Sequence, residues 1–144
     1  MFKDWVMRGF AAGLIAGVAM TVANRTLVAL KVSEQLYAYW GYVLVSGTAF
    51  RTLSEEIAGQ LVHLAFCGFV GLAFTWLVRK EKGCYVVRAV LWSIAVWFAS
   101  NAVITLFNVT LLLPVGLDTI ISHLVTTVIY GLTLAKALDY LDAR

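Results

Sequence analysis

Four long apolar runs fill almost the whole of this 144-residue chain, each broken by a few polar residues at helical spacing. A spanning helix needs about 20 mostly apolar residues rising 1.5 Å each. The runs meet that over about 5–30, 54–78, 86–110 and 119–141. The pattern predicts an all-α integral membrane four-helix bundle, a single transmembrane domain over 1–144.

In the first span Gly9, Gly13 and Gly17 recur every four residues, with Ala12 and Ala16 beside them. Small residues at this spacing let another helix approach backbone to backbone, a main route to helix association in lipid. Asn24 falls on the same face, so the packing surface should continue into an amide. That surface serves packing within the chain or, as the alternative, a subunit interface.

The 31–53 connection is too short to span. Ser33-Glu34 is expected to cap a short helix. Tyr37, Tyr39, Trp40 and Tyr42 read as an aromatic anchor at headgroup level, with a re-entrant or pore-lining segment as the alternative. The second span opens on a capping box, Thr52-x-x-Glu55. Glu56, Gln60, His63 and Cys67 then form one stripe on an otherwise apolar helix. In the third, Ser93, Trp97, Asn101, Thr105 and Asn108 do the same, before a turn at Pro114-Val115-Gly116. Asp118 is expected to cap the fourth, which carries His123, Thr127 and Tyr130 on one face.

Composition agrees with a membrane setting. Apolar residues make up 62% of the chain, mean hydropathy is +0.88, and there is one proline; soluble domains run at about 45–50% apolar. Lys3 and Arg8, then Arg79, Lys80, Lys82 and Arg88, then Lys136 and Arg144 place most basic residues at one end of the bundle. The positive-inside bias predicts both termini and the 79–88 connection in the cytoplasm. Trp5, Trp76 and Trp92 would then lie near that interface. These charges read as topological anchors, so lipid rather than nucleic acid is the expected partner. Cys67 and Cys84 lie too far apart in this arrangement to pair.

An ionisable group inside a bilayer is costly and reads by default as functional. Arg25, Glu56, Gln60, His63, Asp118 and His123 are therefore the candidate ligand- or ion-binding residues, all in the half away from the basic end. One reading is a small protein that binds or translocates an ion or small solute through an outer-facing polar pocket. Histidine titrates near neutrality and suits such a relay, and four helices suggest a homo-oligomer. A second reading is a non-catalytic accessory or assembly subunit of a membrane complex, its polar groups serving as interhelical hydrogen bonds. A third uses His63 and His123 as ligands of a haem, or of a transition metal with Glu56. An enzyme is disfavoured: the chain has no phosphate loop, zinc-protease helix, CxxC or nucleophile elbow.

The run Gly-Phe-Ala-Ala-Gly-Leu-Ile-Ala-Gly at 9–17, with Ser33-Glu34 and the aromatic segment after it, resembles small uncharacterised bacterial membrane proteins. The resemblance covers the first third of the chain. It implies a four-helix inner-membrane protein and carries no functional residues across.

Overall fold

The computed structural model describes residues 4–78 and 84–142. Lys3, Arg79, Lys80, Lys82 and Arg144, on which the charge argument leans, lie outside them. The described chain is all-helical: α1 (Trp5–Ala29), α2 (Tyr37–Ser46), α3 (Leu53–Val78), α4 (Tyr85–Leu106), a 3-10 turn (Thr110–Leu112) and α5 (Leu117–Asp142). α1, α3, α4 and α5 are each long and apolar enough to cross a membrane. An Arg8–Asp142 ion pair brings the start of α1 and the end of α5 to one end of the bundle.

Local signals set most boundaries. The Asp4 side chain accepts from the Val6 N–H and caps α1. The capping box of α3 forms in both directions. The Glu55 N–H donates to Thr52 Oγ1 at 3.3 Å and the Thr52 N–H to Glu55 Oε2 at 2.9 Å. α4 ends at Leu106, before the expected limit near 110, because Asn108 turns left-handed with φ 48°. The Asn108 and Val109 N–H groups then bond back to the Thr105 and Ile104 carbonyls, which is a Schellman closure. Asp118 is not a cap. α5 begins at Leu117, two residues before the expected start, and Asp118 sits exposed in its first turn, where the helix dipole favours an acid.

The 31–53 connection departs further from expectation. Its helix α2 turns Tyr37, Trp40 and Gly41 inward on one face, so Tyr37 and Trp40 are core residues rather than headgroup anchors. Tyr39 and Tyr42 point elsewhere, each packing edge-on against Phe50. Nor does Ser33 cap it. The cap comes from α1: Asn24 Oδ1 accepts from the Tyr37 N–H at 3.1 Å, and its Nδ2 donates to the Gln35 carbonyl at 3.2 Å. Asn24 is 1% exposed. One buried amide thus satisfies a helix-start donor that would otherwise be stranded, and shares the Gln35 carbonyl with Ser33 Oγ.

Without a hydrophobic drive between helices in lipid, close backbone approach and interhelical hydrogen bonds carry the packing. A methyl group on Gly13 would collide with the Cys67 carbonyl, and one on Gly71 would come within 2.6 Å of the Gly13 Cα. The glycine face of α1 is therefore spent against α3. α2 lies on α3 through Gly41, Ala38 and Gly59, again backbone against backbone. α5 packs on α1 and, at Gly131, on the Ala89–Ser93 stretch of α4. The helices run α4, α5, α1, α3, α2 by contact, and α3 and α4 meet narrowly. There the Trp92 indole N–H reaches across to the Val70 carbonyl at 3.2 Å.

Candidate functional site

Two connected features occupy the middle of the bundle. The first is a stack of rings from three helices. The Tyr37 ring of α2 lies between the imidazoles of His63 (α3) and His123 (α5), with centroids 4.7 and 4.6 Å away and planes 3° and 23° from its own. Trp40 closes edge-on against His123 at 5.2 Å. The stripe spacing on α3 puts His63 one turn from Cys67, and their Nε2 and Sγ atoms stand 3.5 Å apart.

The stack is pinned by hydrogen bonds. The Tyr37 hydroxyl meets Thr126 Oγ1 at 2.7 Å, the Trp40 indole donates to Gln35 Oε1 at 2.7 Å, and the Tyr130 hydroxyl donates to the Cys67 carbonyl at 2.7 Å. Burial holds the Tyr37 phenol well above its ordinary pKa, so it stays neutral. Among the described residues, His123 Nε2 and Thr127 Oγ1 are buried without a hydrogen bond of good geometry. Thr127 stands beside a Tyr37 hydroxyl already engaged by Thr126.

The second feature is a cleft of about 580 Å³ where α3 and α4 diverge. Its floor is buried: Met20 of α1, Cys67 and Val70 of α3, Ser93 of α4, Thr127 and Tyr130 of α5. Its rim, Leu44, Phe66, Ala99 and Val103, is exposed and apolar. Tyr37, Trp40 and His63 form the wall it shares with the ring stack. Among the described residues no Asp, Glu, Lys or Arg lines it. A volume of this size with mostly apolar walls is typical of small-molecule sites.

The residues singled out from sequence scatter into three places. His63 and His123 meet the same tyrosine. Arg25 pairs with Glu56 at 2.7 Å on the flank of the bundle, with side chains 47% and 22% exposed. Gln60 lies on the His63 stripe but turns to Thr21 Oγ1 at 3.0 Å, and Asp118 is alone on the surface side of α5. The arrangement does not suit a bis-histidine haem. Axial ligation needs a nitrogen of each ring aimed at one point, whereas here both rings present their faces to Tyr37. Among the described residues no three His, Cys, Asp or Glu side chains gather to hold a metal.

Sequence reasoning missed Tyr37 as the residue joining the two histidines, and missed the cleft. The signal for Tyr37 was its i, i+3, i+4 relation to Trp40 and Gly41, an inward face on a segment too short to span. Compared with protein-family models, curated proteins and solved structures, the chain matches none.

Proposed function

We propose that this multi-pass membrane protein binds a lipid-soluble small molecule in the cleft between α3 and α4. The observation that carries the reading is the cleft itself: about 580 Å³, apolar, lined by no Asp, Glu, Lys or Arg among the described residues, and rimmed by exposed residues of α2, α3 and α4. An ion or hydrophilic solute would find no compensating charge there, and burying a charge unpaired is prohibitively costly. Of the candidate binding residues picked out by sequence only His63 reaches the wall; Arg25–Glu56 and Gln60–Thr21 satisfy one another away from it. Native mass spectrometry of the protein released from mild detergent tests this. A retained small molecule is expected, and Ala99→Trp, which obstructs the rim, should lose it. Equal retention by both proteins would defeat the reading.

One observation favours a second reading, proton or ion passage through the ring stack: His123, whose ring faces the Gln35 backbone, has its Nε2 buried beside Tyr37 without a hydrogen bond of good geometry. In this reading Tyr37 is the plug and the two histidines flank it. Proton flux into liposomes should then fall in His63→Ala and His123→Ala. Flux indistinguishable from protein-free liposomes removes this alternative.

The topology belongs with the proposal. In the sequence basic residues flank the start of α1, the α3–α4 connection and the end of α5; by the positive-inside bias we read that end as cytoplasmic in an inner membrane and the α2 end as outside. A homo-oligomer, or a place as a subunit of a larger membrane complex, is compatible with lipid-facing surfaces as exposed and apolar as those of α4.

A further inference from the structure

We infer that the occupant of the cleft is one acyl chain of a bilayer lipid, entering sideways between α3 and α4, and that Trp92 sets how long a chain it holds. This rests on the preceding reading that the cleft takes a lipid-soluble molecule.

The shape of the site carries the argument. At the end nearer the termini the lining stops at Val70 and Ser93, the level at which the Trp92 indole bridges α4 to the Val70 carbonyl of α3. Just beyond, α4 and α5 close together at Gly131, where an added methyl group would lie 2.7 Å from Ser93 Oγ. At the other end Trp40, Val43, Ile104 and Leu112 pack into a separate apolar cluster that closes the cleft. The side between α3 and α4 remains, and its rim is apolar and exposed. In a membrane that side faces hydrocarbon, so chains of the bilayer stand at the mouth.

Magnitudes separate the occupants. A whole spanning helix, about 10 Å across, does not enter a void of about 580 Å³; a second copy would set only side chains into it and shut lipid out, bringing labelling there down to the level of Leu61 and Leu91. A lipid chain is slender enough. The lining runs along α4 from Ser93 to Ile104, roughly 16 Å at 1.5 Å per residue. A carbon chain with bonds of about 1.5 Å advances roughly 1.3 Å per carbon when extended, so about 12 carbons fit. With no charged side chain in the lining, the headgroup stays outside.

Photolabelling tests this in liposomes of phosphatidylcholine carrying a trace of the same lipid with a diazirine on the terminal carbon of one chain, of either 12 or 16 carbons. A parallel arm uses the matching free fatty acids. Labelled peptides are mapped by mass spectrometry. The 12-carbon phospholipid should label Val70 and Ser93 at least fivefold above Leu61 and Leu91, which are exposed on α3 and α4 outside the cleft. The 16-carbon probe should label the closed end less. Trp92→Ala should restore labelling there by the longer chain, while Trp92→Phe, which keeps a ring in place, should not. Labelling by free fatty acid alone would overturn the choice of bilayer lipid.

Labelling of the cleft no stronger than of Leu61 and Leu91 would overturn the proposal, as would a pattern indifferent to chain length in both wild type and Trp92→Ala. If Ala99→Trp still abolishes retention of a small molecule, the cleft reading survives that failure; if it does not, both fall. Circular dichroism of each variant in the same detergent confirms that the helices are intact.

Discussion

The ring of Tyr37 stacks on the imidazole of His63, with centroids 4.7 Å apart and planes within 3° of parallel. A residue from a helix too short to cross the membrane thereby fixes a residue in the middle of a spanning helix. His123 covers the opposite face of the same ring. Tyr37 is thus the point through which α2, α3 and α5 are joined, and it also forms part of the cleft wall.

Tyr37→Phe should keep the stack and lose the bond to Thr126, costing about 1 kcal/mol. Tyr37→Ala should cost about 3–5 kcal/mol, since it leaves a ring-sized cavity between two buried imidazoles. Denaturation in mixed micelles measures both. Equal losses would mean that the hydroxyl, not the ring, is the anchor.

Asn24→Ala should strand the Tyr37 N–H and leave the Gln35 carbonyl with the long Ser33 Oγ bond at 3.5 Å, with a loss of about 1–2 kcal/mol. Asn24→Asp keeps the acceptor but sets a buried carboxyl against the Gln35 carbonyl, so it should not recover the loss. Amide hydrogen exchange gives the sharper measurement: α2 should exchange faster in Asn24→Ala, while the middle of α5 keeps its protection.

Gly71→Val places side-chain atoms against the Gly9 carbonyl and the Gly13 backbone, so α1 and α3 must separate, at about 1–3 kcal/mol. Gly116→Ala meets open space, with no atom within 4 Å. It should leave the thermal midpoint unchanged. A comparable loss in both variants would contradict the close α1–α3 approach.

The Arg25–Glu56 pair has side chains 47% and 22% exposed near the α2 end of the bundle. A pair so placed contributes about 0.2–1 kcal/mol and is screened by salt. Arg25→Gln should therefore lose less than Tyr37→Ala, and the loss should shrink between low and high salt. Combining Arg25→Glu with Glu56→Arg should recover most of it.

Part of this protein is determined by sequence alone. Four runs of apolar residues long enough to cross a bilayer impose four helices, because unpaired backbone groups cannot be left in hydrocarbon. The Gly9, Gly13 and Gly17 register marks a close-packing face, and Thr52 with Glu55 specifies the start of α3. These are local relations, fixed by residues within a turn or two of one another.

The site depends on separations that no local pattern encodes. His63 and His123 were legible as unusual residues at similar depth, but their relation to each other runs through Tyr37, far from both in the chain. Asn24 could be placed on the packing face; that it caps α2 depends on how the chain folds back after Ala29. The cleft is further still from the sequence. It exists because α3 is drawn to α1 by glycine contacts and α4 to α5 at Gly131, so that two helices adjacent in the chain diverge in space. Tertiary packing decided that, since the backbone approaches made elsewhere leave α3 and α4 bridged by Trp92 at one level and parted above it.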